Sequence, residues 1–180
     1  MGEVRPVQPV KLVVSLLTSL PRLEPEVERE LTDRYGRVDL KSEAFPFDST
    51  KYYNRQMGTP ITRRFYAFAD LISPASLSGI KRQTKEFEAL VAEEHRETGR
   101  PINLDPGYLE ESKLILASTK NFYHRIHIGE GIYAEVTMHW EERKWKTFPW
   151  TFPDFRTGHY DSFFTALRRV YRQQLAGISC

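Results

Sequence analysis

ITRRFYAFADLISPASLSGIKRQTKEFEALVAEEHRETGRPINL, residues 61–104, is the stretch whose reading decides the fold. Over 61–71 it alternates, Phe65 and Ala67 on one side and Tyr66 and Phe68 on the other, which is the period of a strand. Ser73-Pro74 changes the period, because a capping hydroxyl followed by proline at the first helical position starts a helix. Leu77, Ile80, Thr84, Phe87 and Val91 then form one stripe at helical spacing. Gly99 ends that segment, and 101–104 is a short strand.

Working outward, residues 10–17 are a β-rich apolar run suited to a buried first strand. Pro25 suits the first turn of a helix carrying Val27, Leu31 and Tyr35 at four-residue spacing, with Gly36 as its stop. A second strand is expected over 38–47, closing in Pro46-Phe47-Asp48-Ser49. The order strand, helix, strand, strand, helix, strand is that of a ferredoxin-like βαββαβ sandwich of the α+β class. Beyond it, Asp105-Pro106 with Glu110 and Glu111 reads as a helix start, so 106–117 is expected as a short helix, although LILA over 114–117 reads equally as a strand. A β-hairpin over 122–139, a strand over 145–148 and an amphipathic helix over 163–175, with core side Phe163, Leu167, Val170 and Tyr171, extend the unit. No repeat or linker interrupts the chain, so 1–180 is expected as one domain with its core over about 10–176 and one mostly antiparallel sheet.

Forty per cent apolar and 13 per cent aromatic residues suit a folded domain, not a disordered chain. The formal charge of +2 falls short of the basic footprint of a dedicated nucleic-acid binder. Cys180 is the one cysteine, so the chain has neither an internal disulfide nor a thiolate cluster, which fits a reducing cytoplasm. The apolar run 12–17 is too short to span a bilayer, and MGEVRPVQPVK lacks a signal-peptide pattern. The expectation is a soluble, cytoplasmic protein with no membrane association.

The hairpin FYHRIHIGEGIYAEVTMH carries the strongest candidate site. With its turn at Gly129-Glu130-Gly131, Ile128 faces Ile132, and counting outward pairs His127 with Tyr133, Arg125 with Glu135 and Tyr123 with Thr137. These six share one face, and Ile126, Ile128, Ile132, Ala134, Val136 and Met138 share the other, the expected core face. Opposite charges across a ladder contribute only about 0.2–1 kcal/mol and are common on solvated faces. A functional reading needs the following loops to cover the face. Glu135 then serves as a general base and Arg125 grips a carboxylate or phosphate. No metal site is expected: His124 and His127 point to opposite faces, and His127 and His139 lie about 20 Å apart along the hairpin.

Other segments add weaker signals. The hydroxyls and Lys120 of 117–121 suit a phosphate oxygen, or an ordinary turn. The Walker glycine loop, Gly-x-Gly-x-x-Gly and Gly-x-Ser-x-Gly are all absent, which disfavours P-loop nucleotide hydrolases and the usual serine-hydrolase elbow. PWTFPDF over 149–155 is rigid and aromatic, a structural cover for the sheet or a lid with Trp150 as a flat wall and Asp154 as a polar group. The polar, aromatic loop 48–53 with Arg55, Arg63 and Arg64 nearby suggests an anion-attracting rim or a solvated basic edge.

Several segments together resemble one known family: PVKL (9–12), FPFD (45–48), NLDPGY (103–108), LASTK (116–120), HRI (124–126), GIYAEVT (131–137) and PWT (149–151). The chain resembles, from about Val10 to the last helix, the uncharacterised prokaryotic family described as domain of unknown function 4416 (DUF4416). The resemblance implies a one-domain length and no mechanism, and the segments carrying it include Asp105, Lys120, Arg125, Glu135 and Thr137.

The expectation that follows is a protein that binds, and in an enzyme acts on, a small anionic ligand such as a phosphate- or carboxylate-containing metabolite or nucleotide, beside the hairpin and without a cofactor. Arg125, Lys120, Lys113, Thr137, Tyr133, His127, Trp150 and Asp154 are the binding candidates, and Glu135 and Asp105 the acid–base candidates. The alternative is an RNA-binding or protein-interaction module of ferredoxin-like fold. It lacks the two-aromatic RNA signature, and it needs an exposed sheet face bearing aromatics beside Arg63, Arg64 or Arg172.

Overall fold

The computed structural model describes residues 2–3, 6–50 and 52–178, so Lys51 and Cys180 lie outside the described residues. Its elements are β1 (Val10–Thr18), α1 (Glu24–Tyr35), β2 (Val38–Lys41), β3 (Phe45–Pro46), α2 (Asn54–Met57), β4 (Thr62–Ile72), α3 (Leu77–Glu94), β5 (Ile102–Leu109), β6 (Lys113–Ser118), β7 (Ile126–Gly129), β8 (Ile132–Glu141), β9 (Lys144–Thr147) and α4 (Asp161–Ile178). Among these residues nine strands form one sheet in the order β2-β4-β1-β5-β6-β8-β7, with β3 on β4 and β9 on β8. The pairings are antiparallel. No described helix is long and apolar enough to cross a membrane.

Both faces of the sheet are covered, which explains why β1 is buried along its whole length. Leu12, Val14 and Leu16 meet Val27 and Leu31 of α1 and Ile80, Phe87 and Val91 of α3 on one face. Val13 turns the other way, to Phe163, Phe164, Leu167 and Tyr171 of α4. Each such side chain contributes roughly 1.5–3 kcal/mol on burial. A helix-surface ion pair such as Glu30–Arg34, at 2.5 Å, contributes only about 0.3–0.5 kcal/mol. The two apolar seams therefore hold the helices in place.

Outside the hairpin, three sequence expectations need correction. Residues 106–117 are not a helix: β5 runs on to Leu109 and β6 returns from Lys113. Leu109 and, at period two, Leu114 and Leu116 bury their side chains in the α4-side core, a pattern only strands supply. The expected strand over 38–47 is two pieces, β2 and β3, both on the edge of β4 that β1 leaves open. On α4, Phe163, Leu167 and Tyr171 are buried, but Phe164 joins them in place of Val170, which is only half-buried.

The hairpin turns at Gly129-Glu130-Gly131, all three with positive φ. His127 faces Tyr133 as counted, but Gly129, not Ile128, opposes Ile132. β7 begins only at Ile126. Residues 122–125 form a turn, closed by Arg125 N–H on the Phe122 carbonyl at 2.9 Å, so Tyr123 does not face Thr137 and is 83 % exposed. Ile126, expected in the core, is exposed on this edge strand. In β8 a bulge leaves Thr137 unopposed between Val136 and Met138. The bulge reverses the alternation, so Met138 joins the α4-side core instead of the α3 side.

Candidate functional site

Strand β5 pairs with β1 over its full length, but its ladder with β6 covers only 107–109 against 114–116. Beyond Gly107 the two strands part. By strand alternation Pro106 turns its backbone the same way as Leu104, away from β1, where its missing N–H ends the ladder. Helix α3 takes over the open edge. Lys81 Nζ donates to the Leu104 carbonyl at 2.7 Å, and Glu88 Oε1 accepts from the Leu104 N–H at 2.8 Å. Lys81 and Glu88 are seven residues apart, two turns along one helix face, and both are buried.

The parting of the strands opens a cleft with two compartments. The larger, about 360 Å³, is walled by rings that include Phe47, Tyr53, Phe122, Trp150, Phe152 and Phe155. The smaller, about 190 Å³, is lined by Lys81, Lys85, Arg100, Lys120 and Arg125, with Asp105 and Glu135. Tyr53, Asp105, Lys120, Arg125 and Phe152 belong to both.

Two buried ion pairs fix the walls. Glu135, its side chain 2 % exposed, accepts from Arg125 Nε at 2.7 Å and lies 3.1 Å from His124 Nε2. Arg125 Nη1 also donates to Ser118 Oγ at 2.8 Å and to the Lys120 carbonyl at 2.9 Å, which ties the 119–125 loop to β8. The His124 ring stacks on Trp150 at 5.5 Å. Trp150 Nε1 and Thr151 Oγ1 donate to the Val136 and Thr137 carbonyls at the bulge, at 3.1 and 2.6 Å. On the ring side, Arg63 meets Asp154 at 2.9 Å, and the Tyr160 hydroxyl donates to the same carboxylate at 2.9 Å.

Asp105 stands where the compartments join. It accepts from Lys81 at 3.1 Å and from Asn103 Nδ2 at 2.6 Å. Burial pushes its carboxyl up, but Lys81, with Arg63 and Asn103, more than offsets this and holds it below the ordinary aspartate value. Lys85 and Arg100 reach Glu88 at 2.7 and 3.2 Å, and Arg100 also donates to Asn103. Lys120 differs from these cations. Its ammonium donates to the Tyr52 hydroxyl at 2.6 Å, which lowers that phenol, and among the described residues it has no carboxylate partner.

A match over residues 8–171 is found with the family model described as Domain of unknown function (DUF4416). The chain belongs to the DUF4416 family. No curated protein and no solved structure matches it.

Of the residues the sequence singled out in this DUF4416 chain, Arg125, Glu135, Lys120, Asp105, Trp150 and Asp154 line the cleft. Thr137 sits behind Glu135, its hydroxyl 3.5 Å from Oε1. The fold does not bring Lys113, His127 and Tyr133 to the cleft. Lys113 pairs with Glu110 at 2.8 Å in the β5–β6 hairpin, opposite His139 at the far end of β8. His127 and Tyr133 face each other beside the hairpin turn, with ring centroids 5.3 Å apart. The proposed Arg55-Arg63-Arg64 rim does not form either: Arg63 points inward to Asp154, while Arg64 pairs with Glu24 at 2.8 Å.

Sequence reasoning misses His124, Lys81 and Asn103, and it places Arg63 on a surface rim instead of beside Asp154. Residues 122–125 are a turn, so strand alternation misplaced His124. Lys81 and Glu88 did carry a signal: with Leu77, Thr84 and Val91 they make a second regular stripe on α3, and all five are buried. Elsewhere, a groove of about 610 Å³ runs along α4, but Arg168 and Arg172 there are engaged by Glu111. Glu26, Glu94 and His95 hold donor atoms within 4.8 Å of one another, on α1 and the end of α3 and outside the cleft.

Proposed function

We propose that this DUF4416 protein binds a small organic anion, a phosphate- or carboxylate-bearing metabolite, in the cleft between β5 and β6. The observation that carries the reading is Lys120, a cleft cation with no carboxylate partner among the described residues, beside Arg125 in the cation-lined compartment. An ammonium or guanidinium within hydrogen-bond reach of an anion makes the stronger, charge-assisted kind of bond. Arg125 and Lys120 hold the anion, Trp150 and Asp154 belong to the ring-lined wall, and Glu135 and Asp105 position the cations. Thr137 braces Glu135 from behind. We also read β1, α1, β2, β4, α3 and β5 as a ferredoxin-like unit, supported by the strand order β2-β4-β1-β5. The RNA-binding alternative gains no comparable observation, because both sheet faces are covered by helices and Arg63 is buried.

A thermal-shift screen with nucleotides, sugar phosphates and dicarboxylates tests the reading. A ligand at a hundred times its Kd adds about 2.7 kcal/mol, which for a domain of this size raises Tm by about 5–10 °C. Lys120→Ala should remove that rise and leave the unliganded Tm unchanged. A screen in which no anionic compound moves Tm at millimolar concentration rejects the proposal.

A further inference from the structure

The cleft's two compartments differ in chemistry and meet at one carboxylate, and that order narrows the ligand. This inference rests on the anion-binding reading and goes further, to the ligand's architecture. Five cations line the polar compartment, Lys81, Lys85, Arg100, Lys120 and Arg125, against two carboxylates, Asp105 and Glu135. Glu88 sits behind Lys85 and Arg100 and neutralises one more. The remaining excess is two positive charges, which matches a phosphate monoester of about −1.5 to −2 better than a single carboxylate. Helix α3, through Lys81 and Lys85, forms one wall of this compartment.

The adjoining compartment offers flat surfaces in Tyr53 and Phe152, which are shared across the boundary, while Trp150, stacked between His124 and Phe148, closes its wall. Asp105 stands at the junction with its side chain 26 % exposed. Each of its oxygens accepts one bond from within the protein, so the carboxylate keeps acceptor capacity where it lines both compartments. An acceptor between a ring site and a phosphate site is what a hydroxyl-bearing linker needs.

We infer that the cleft takes a nucleoside monophosphate, with the base against Tyr53 and Phe152, the sugar hydroxyls on Asp105, and the phosphate among Lys120, Arg125, Lys85 and Arg100. The combined space falls within the range of ligand pockets, roughly 300–1,000 Å³, and accommodates one nucleotide unit.

Isothermal titration of the full chain with AMP, UMP, adenosine, ribose 5-phosphate, citrate and inorganic phosphate tests this. AMP or UMP should bind at least tenfold more tightly than ribose 5-phosphate and than adenosine. Phe152→Ala, at a position 38 % exposed and thus tolerant of truncation, should weaken AMP about tenfold, the loss of one base-on-ring stack, and weaken ribose 5-phosphate by a much smaller factor. If ribose 5-phosphate or citrate binds as tightly as either nucleotide, the inference is overturned while the anion reading stands. Tight binding of adenosine alone, or of none of these probes, overturns both.

Discussion

Glu135 is a buried carboxylate whose role can be measured residue by residue. Arg125 Nε and His124 Nε2 both converge on its Oε2, and the Arg125 side chain is only 7 % exposed. Replacing one partner of a buried pair leaves the other charge uncompensated, at a cost of about 3–5 kcal/mol. Glu135→Gln should therefore lower stability by that amount in urea unfolding. The double variant Glu135→Leu/Arg125→Met should recover part of the loss. A single-variant cost under about 1 kcal/mol would show that the pair is not buried as described. Counting outward from the glycine turn was enough to set Arg125 and Glu135 opposite each other, and they meet at 2.7 Å even though Arg125 precedes the strand. The partners of Arg63 and Lys81 were beyond the reach of sequence, because Asp154 and Asp105 are brought to them only by tertiary folding.

At the scale of elements, Gly107 is the residue on which the meeting of β5 and β6 depends. A Cβ there would lie 2.1 Å from the Ile115 carbonyl oxygen and 2.6 Å from Leu116 Cδ2, so no side chain fits while the ladder is closed. Gly107→Ala should destabilise the protein by about 1–3 kcal/mol or more, the usual cost of overpacking, read as a lower urea midpoint. An unchanged midpoint would mean that the two strands are not in close contact at that residue. Periodicity located β1, α1, β4, α3 and α4 to within a few residues. It failed over 106–117 for a definite reason. Asp105-Pro106 has the local chemistry of a helix start, yet the Asp105 oxygens are taken by Lys81 and Asn103, and β1 offers the segment an open edge.

For the whole molecule, ionisation of the tyrosines reports on the core. Burial pushes the hydroxyls of Tyr35, Tyr53 and Tyr171 up to about 12, and raises those of Tyr66, Tyr108 and Tyr160 as well. The unfolded chain releases such protons near about pH 10, so it holds fewer of them than the folded state once that pH is passed. Stability is therefore complete below about pH 10 and falls as pH rises through about 12. Tyrosinate absorbance should rise in two stages, the second coinciding with loss of far-ultraviolet circular dichroism. A single early rise with the dichroism intact would contradict the buried assignments. The same core shows what a single chain conceals. β1 reads as one apolar run broken by Lys11 and Ser15, and only the fold reveals that Asp39 and Arg63 complete it. Where β5 and β6 separate, the sheet becomes two wings joined at a three-residue seam and underpinned by α4. Asp105 belongs to one wing and Arg125 to the hairpin side of the other, so the proposed ligand would bridge that joint.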